Sequence, residues 1–143
     1  MKKYLPVLVL VAILIAVFGR DGADVDHGGA TLQSDQVLAD AYADRSDRLQ
    51  VQGGGHVIAV LPDDRNGSQH QRFILKLDSG QTVLVAHNID LAPRIEGLHE
   101  GDLITFSGEY AWNEDGGVVH WTHRDPQRRH ADGWLQRGGK LYQ

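Results

Sequence analysis

The stretch 70-HQRFILKL-77 gives the clearest structural signal in the chain. Its apolar residues Phe73, Leu75 and Leu77 alternate with polar neighbours. Successive side chains of a β-strand point to opposite faces of a sheet, so this alternation is typical of a strand with one buried face. We therefore predict that residues 70–77 form a strand whose inner face belongs to the core of a mainly β domain.

Four other segments around it show the same signs of strand structure. They are rich in residues that favour strands, and turn residues separate them. The predicted strands are 56–61, 81–87, 103–112 and 118–124. A longer connection, 88–101, is predicted to form a short helix or turn that closes one end of a barrel. The tail, 133–142, is predicted to form a last small hairpin.

The order of these elements indicates the architecture. Three strands, a connecting segment and then a hairpin is the order of a small five-stranded OB-like barrel. The stretch 101-GDLITFSG-108 fits the fourth strand of such a barrel, because a glycine within a strand permits sharp coiling. We predict this barrel, with its C-terminal tail, over 51–143. A different closed barrel or a small sandwich is the alternative.

One amphipathic helix is predicted before the barrel, over 32–50. Leu38, Ala41 and Leu49 recur at helical spacing, whereas aspartates occupy the other faces. The glycine triplet 53–55 is predicted to end the helix. Residues 20–31 are rich in glycine and aspartate and are interpreted as a linker.

The N-terminus resembles a targeting segment. Two lysines precede an apolar run over 5–18, and this run is shorter than the roughly 20 residues of a spanning helix. Residues 1–19 are therefore predicted to be a signal peptide, with the mature domain periplasmic or secreted. The alternative is an uncleaved anchor in the inner membrane, with the domain outside the cytoplasm. Only this segment would then contact the membrane.

Composition limits the partners of the domain. The chain has no cysteine, which excludes disulfides and thiolate metal sites. Its net charge of −5 disfavours nucleic acid as a partner, because an acidic chain repels phosphate backbones. Residues 124–143, however, contain five basic residues and two aspartates, which leaves room for one specific anion. We expect a monomer.

The fifth predicted strand and the loop after it carry most of the candidate functional residues. Residues 118–134 contain three histidines, two aspartates, three arginines and two tryptophans. One interpretation is structural: His120, His123 and Asp125 fix the loop through hydrogen bonds to backbone. A second is recognition of an anion or a sugar. A third is a site for zinc or a similar divalent metal, with His87, His123, Asp125 and His130 as ligands.

The binding interpretation places a groove between strands two, three and five and the tail. Arginines in it would hold an anion, and tryptophans would flank the ligand. The candidate ligand-binding residues are Arg72, His87, Asn88, Arg94, Trp112, His120, His123, Asp125, Arg128, His130 and Trp134. Trp121 is assigned instead to the core, together with Phe73, Leu75, Ile104 and Phe106, because it alternates with polar neighbours.

Several motifs resemble a known family. They are 70-HQRF-73, 86-AHNIDLAPR-94, 108-GEY-110 and the signature 120-HWTHRDP-126, an HWTHxDP pattern. Over roughly 56–143 they resemble a family of short exported bacterial proteins that carries only a domain-of-unknown-function label. The resemblance implies an envelope or secreted protein and no particular activity. The chain is also similar in fold order to staphylococcal-type nucleases, but 62-PDDR-65 lacks the Asp-Gly-Asp-Thr turn of that pattern.

Two functional hypotheses follow. The first is a non-enzymatic exported module that binds a small polar or anionic ligand or an envelope protein, with no cofactor. The second is a metal-dependent hydrolase, similar to a phosphodiesterase or nuclease, in which the His/Asp cluster activates water and Arg72 or Arg94 stabilises the developing charge. No catalytic triad order, phosphate-binding loop or paired catalytic carboxylate is found in the sequence, so the first hypothesis is favoured.

Overall fold

The structure is a computed structural model that describes residues 27–143, with side chains from residue 32 onwards. The predicted signal or anchor at 1–19 and the first part of the predicted linker lie outside the described residues. Within the described part, no helix is both long and apolar enough to cross a membrane.

One helix precedes seven strands. The helix α1 spans His27–Ala43. The strands are β1 Asp47–Asp64, β2 His70–Lys76, β3 Thr82–Asn88, β4 Leu103–Ala111, β5 Val118–His120, β6 Trp134–Arg137 and β7 Lys140–Tyr142.

The helix ends earlier, and the first strand begins earlier, than the sequence predicts. The prediction of a helix over 32–50 is wrong after Ala43, and the helix begins inside the predicted linker. Backbone hydrogen bonds between β1 and β4, from Asp47↔Ala111 to His56↔Leu103, draw the segment into the sheet. This pairing with a distant strand overrides the local helical pattern, which carries no information about a partner far along the chain.

The glycine triplet therefore lies inside a strand and does not end a helix. A Cβ atom on Gly55 would lie 2.6 Å from the carbonyl oxygen of Lys76, which is closer than atoms can approach. Glycine at this position lets β1 lie close to β2 where β1 passes from one partner strand to the other.

The sheet closes into a ring. β1 pairs with β2 through its second half and with β4 through its first half, and β2 pairs with β3. β3 and β5 pair in parallel, with Leu84 opposite Val118, and β5 pairs antiparallel with β4. The resulting order β1-β2-β3-β5-β4-β1 confirms the prediction of a mainly β fold with a five-stranded OB-like ring preceded by one helix. The hairpin β6–β7 extends the sheet from β4.

The interior of the ring is mostly apolar. Phe73, Leu75, Ile104 and Phe106 are fully buried, as predicted from their alternation. Leu38 and Ala41 of α1 join the same core and cover one side of the ring.

Trp121 does not belong to the core, and the prediction for this residue is wrong. Strand β5 ends at His120, and Trp121 adopts a left-handed backbone conformation with φ 54°. This conformation breaks the strand alternation. Thr122, fully buried, takes the inward position instead, and the indole is left half-buried at the surface.

The connection between β3 and β4 closes one end of the ring with turns. Ile95 is buried there. The side chain of Gln71, also buried, donates to the carbonyl of Ile95 and accepts from its amide, both at 2.9 Å. This pair satisfies both backbone groups of a buried loop residue and fixes the loop to β2.

Replacement of Phe106 by alanine should lower the free energy of unfolding by roughly 3–5 kcal/mol, because it leaves a cavity in a closed core. Leu103 lies on the same strand and is 55% exposed, so Leu103→Ala should cost less than about 1 kcal/mol. Urea denaturation of both variants measures the difference. Equal losses would show that the inner face of β4 is assigned wrongly.

Candidate functional site

Three neighbouring cavities lie at the end of β5 and along the loop after it, and Trp121 lines two of them. The first, which we call the Trp121 groove, has a volume of about 610 Å³ and is lined by Leu91, Trp121, Asp125, Pro126, Gln127, Arg129 and His130. The second, the histidine pocket, has about 330 Å³ and is lined by Ser68, His70, Asn88, Leu91, His120, Trp121 and His123. The third, the arginine pocket, has about 550 Å³ and is lined by Arg124, Asp125, Arg128, His130, Asp132 and Gln143.

The loop between β5 and β6 packs against the backbone of Trp121 and His123. The carbonyl of His123 accepts a hydrogen bond from the amide of Gly133 at 2.9 Å. A Cβ atom on Gly133 would lie 1.9 Å from the carbonyl oxygen of Trp121, so only glycine fits at this position. The loop between β5 and β6 therefore returns directly beneath the indole-bearing residue.

His87 anchors the end of β5 from inside the ring. It is fully buried, and its Nε2 donates to the carbonyl of Pro93 at 2.9 Å. Its Nδ1 therefore accepts a hydrogen bond from the hydroxyl of Thr122, at 2.8 Å. Burial lowers the pKa of His87 from 6.5 to about 4, so the ring is neutral at pH 7. Both nitrogens are in use, which gives His87 a structural role.

Asp125 organises the loop that forms the floor of the site. Its carboxylate accepts hydrogen bonds from the backbone amides of Gln127, Arg129 and His130 at 2.8–2.9 Å. These bonds, with the one from Gln127 first, lower the pKa of Asp125. The structural interpretation of this residue from the sequence agrees with these contacts.

Glu109 joins two histidines on the outer face of the sheet. It lies opposite His120 in the β4–β5 pairing, and its Oε1 is 3.5 Å from Nε2 of His120. Its Oε2 accepts a hydrogen bond from Nε2 of His130. Nδ1 of His130 donates to the carbonyl of Ala131 at 2.8 Å. Since both nitrogens of His130 face oxygen acceptors, this arrangement favours the protonated ring, paired with the Glu109 carboxylate.

The pKa values of the two histidines beside Glu109 are shifted in opposite directions from the usual value. Burial by itself lowers the pKa of His130, but the hydrogen bonds to Glu109 and to the carbonyl of Ala131, together with the charges of Glu109 and Asp125, outweigh burial and raise the pKa. For His120, burial lowers the pKa and the Glu109 charge offsets only part of this effect.

The imidazole of His130 also stacks on the indole of Trp121, with ring centroids 4.2 Å apart and planes 11° apart. A protonated imidazole on an indole face adds a cation–π attraction.

His70 and His123 differ from His130 because only one ring nitrogen of each forms a hydrogen bond with residues 27–143. Nδ1 of His70 donates to the carbonyl of Ser68 at 2.9 Å, and Nδ1 of His123 donates to the carbonyl of Arg124 at 2.7 Å. In each neutral ring this fixes the proton on Nδ1 and leaves Nε2 as an acceptor. Among the described residues neither Nε2 has a hydrogen-bond partner, so both are available to a ligand of the histidine pocket.

Several predicted binding residues lie elsewhere. Arg72 donates twice to the carbonyl of Pro62, and Arg94 forms an ion pair with Asp63. Trp112 stacks on Tyr42 near the end of α1, with Arg45 4.7 Å from its ring centroid. Trp134 lines a separate cavity of about 620 Å³ beside the glycines of β1. None of the three cavities is therefore lined by the predicted binding residues Arg72, His87, Arg94, Trp112 and Trp134.

The remaining predicted residues line the three cavities. They are Asn88, His120, His123, Asp125, Arg128 and His130. Sequence reasoning missed Glu109 and Leu91 as members of the site, and it placed Trp121 in the core. The register of β4 against β5 would have revealed Glu109, because it places Glu109 opposite His120. The left-handed conformation of Trp121 has no signal in the sequence.

The set predicted to hold a metal does not form a metal site. Within residues 27–143, no group of three or more histidine, aspartate or glutamate side chains is placed to hold an ion. The side-chain atoms of His87, Asp125 and His130 that could bind a metal already form hydrogen bonds. His87 and His130 use both ring nitrogens, and the Asp125 carboxylate accepts from three backbone amides. The residues present therefore do not fit the predicted zinc site.

Residues 27–143 match the model of a protein family described as "Protein of unknown function (DUF3465)". The chain belongs to this family. The match confirms the resemblance to a domain-of-unknown-function family. No curated protein matches the chain.

The buried histidine of this DUF3465 domain should make its stability depend on pH. Because the pKa of His87 falls from 6.5 to about 4 on folding, the folded state resists protonation. Stability from this group is complete above about pH 6.5 and is lost as the pH falls towards 4, by up to about 3 kcal/mol. Urea denaturation at pH 7.5, 6 and 4.5 measures the loss.

His87→Gln should reduce this pH dependence, since glutamine keeps a polar side chain without titrating. His56→Gln is the matched control, because His56 is exposed and lies away from the cavities around Trp121. A parent and a His87→Gln variant that lose the same stability between pH 7.5 and 4.5 would contradict the role assigned to His87.

Loss of the Asp125 carboxylate should loosen the loop of the DUF3465 domain. In Asp125→Ala, the amides of Gln127, Arg129 and His130 lose their acceptor and should exchange with solvent about tenfold faster or more. Amide hydrogen exchange by NMR measures the rates. The exposed Asp78, in the turn after β2, supplies the control Asp78→Ala, which should leave these three amides unchanged.

Proposed function

We propose that this domain is a binding module that holds a small polar or anionic ligand in the cavities around Trp121. The observation that supports this most directly is the position of Trp121 itself. A bulky residue with φ 54° is conformationally unfavourable, and the indole forgoes burial in the core. Such an arrangement persists where the rest of the structure imposes it, which is typical of ligand-binding sites.

The surroundings of Trp121 support the same proposal. Side chains from four separate segments meet there: His70 from β2, Leu91 from the connection after β3, His120 from β5 and His130 from the following loop. A volume of about 610 Å³ lies within the usual range for small-molecule sites. The contacts of Asp125 and Glu109 hold His130, His120 and the loop after β5 in place before any ligand arrives, which lowers the entropy lost on binding.

The histidines determine which ligand groups fit. With Nδ1 protonated, Nε2 of His70 and of His123 accepts hydrogen bonds from hydroxyl or amine groups of a ligand. The histidine pocket therefore suits a polar ligand that presents hydroxyl or amine donors.

The hydrolase hypothesis has less support. A metal-activated water needs free imidazole and carboxylate donors around one point. Within the described residues His87, Asp125 and His130 of the predicted set already bind backbone groups, the Thr122 hydroxyl or Glu109, which leaves only Nε2 of His123 free. We therefore do not propose a metal-dependent hydrolase.

The proposal includes the location of the module. The lysines and apolar run at the N-terminus support export, so that the domain acts in the periplasm or outside the cell, as a monomer. An inner-membrane anchor that keeps the domain outside the cytoplasm is the alternative. An envelope protein is the alternative partner for the same surface.

The three tryptophans of the chain provide a direct test of the binding site. In a ¹⁵N NMR titration with citrate, glucose and inorganic phosphate, at least one probe should shift the indole NH of Trp121. The indoles of Trp112 and Trp134 lie outside the three cavities and should not move. Trp121→Leu should weaken that binding about tenfold, the usual effect of a lost aromatic contact, and Trp134→Leu should not. Equal shifts at all three indoles, or none at Trp121 with every probe, would refute the proposal.

A further inference from the structure

Three arginines of the loop after β5 have no partner within the described residues. The guanidinium groups of Arg124, Arg128 and Arg129 form no ion pair and no hydrogen bond with residues 27–143. Arg94 and Arg137 are engaged by contrast: Arg94 binds Asp63, and Arg137 binds Asp102 and the carbonyl of Glu96. The loop that forms the proposed site thus carries three free guanidinium groups within residues 124–129.

This loop is rigid where the arginines are attached. Asp125 binds the amide of Arg129, and the carbonyl of Asp125 accepts from the amide of Arg128 at 3.1 Å. Arg128 has φ 54°, a conformation that side chains other than glycine seldom adopt. A tight turn therefore fixes the positions from which the arginine side chains start.

The loop after β5 carries more positive than negative charge. Residues 124–132 contain three arginines and two aspartates. The Asp125 carboxylate accepts hydrogen bonds from three backbone amides, Glu109 accepts one from His130, and Asp132 accepts from the amide of Asp125 at 3.1 Å. In the described part of the chain, none of these three carboxylates forms an ion pair with an arginine of the loop. On a chain whose net charge is −5, this loop is therefore a more favourable place for an anion than the rest of the surface.

The positive region adjoins an apolar one. The arginine pocket shares Asp125 and His130 with the Trp121 groove, so the two cavities are neighbours. On its other side the groove is lined by Leu91, Trp121 and Pro126, which offer flat apolar surfaces. One molecule of moderate size can contact both cavities at once.

We propose that the ligand is a small anion that also bears a planar ring. Its ring lies in the Trp121 groove between Trp121, Leu91 and Pro126. Its phosphate, sulfate or carboxylate group lies in the arginine pocket, where Arg124 and Arg128 bind it. Guanidinium groups suit this task because their planar donors match the geometry of such anions. This inference rests on the proposed function and specifies the chemical class of the ligand.

The test compares one two-part probe with its two halves. By isothermal titration calorimetry at low ionic strength, 1-naphthyl phosphate should bind the full-length protein about tenfold more tightly than 1-naphthol or inorganic phosphate alone. Added salt should weaken the binding of 1-naphthyl phosphate and leave 1-naphthol unaffected, because only the anionic contact is screened.

Variants then assign the contact with the anion. The double variant Arg124→Gln/Arg128→Gln should bind 1-naphthyl phosphate no better than 1-naphthol. The matched control is Arg48→Gln/Arg65→Gln, which removes the same charge at two exposed arginines outside the three cavities. This control should retain the advantage of the phosphate probe. Equal effects of both double variants would show that only net charge matters and would overturn the inference.

The remaining outcomes separate this inference from the proposed function. If 1-naphthol binds as tightly as 1-naphthyl phosphate, the ligand does not need an anionic group. If inorganic phosphate binds as tightly as 1-naphthyl phosphate, the ligand does not need a planar ring. If none of the three binds, the class is wrong, whereas the proposed function is judged separately by the shift of the Trp121 indole with citrate and glucose.

Discussion

The barrel depends on one long strand that has two partners. β1 pairs with β4 from Asp47 to His56 and with β2 from His56 to Asp64, so His56 faces a partner on each side. A sheet can close only if one strand turns sharply enough to serve both edges. The glycine triplet before His56 permits that turn, because Gly55 lies against the backbone of β2. Closure fixes the position of every other strand, including the short β5.

The position of the candidate site depends in turn on a hydrogen bond inside the ring. Inside the ring, the bond between His87 and Thr122 fixes which residue after β5 points inward. Once Thr122 occupies the inner position, Trp121 must lie outside, beside His120 and Glu109 on the adjoining strands. A buried hydroxyl and a neutral imidazole therefore determine where the half-buried indole of Trp121 lies. The candidate site is a consequence of core packing as much as of the surface loop.

Much of the fold could be predicted from the sequence, because strand alternation and turn residues are local signals. Phe73, Leu75, Ile104 and Phe106 occupy the core for this reason. The first strand could not be predicted in full, since Asp47 to Val51 become strand only through pairing with β4. Within the site, the loop histidines and Asp125 were predicted from their density along the chain. Glu109 was missed because its partner depends on strand register, and Trp121 because its backbone conformation depends on Thr122.

The double pairing of β1 also has a kinetic consequence. The closing ladder joins Asp47 to Ala111, and β2 and β3 must form between them. Contacts between residues so distant in sequence raise the contact order, and β-rich domains with high contact order fold slowly, in milliseconds to seconds. Until β4 is in place, β1 is an unpaired edge that can associate with other chains. Asp47 and Arg48 at the start of β1 place charge on that edge, which opposes such association during folding.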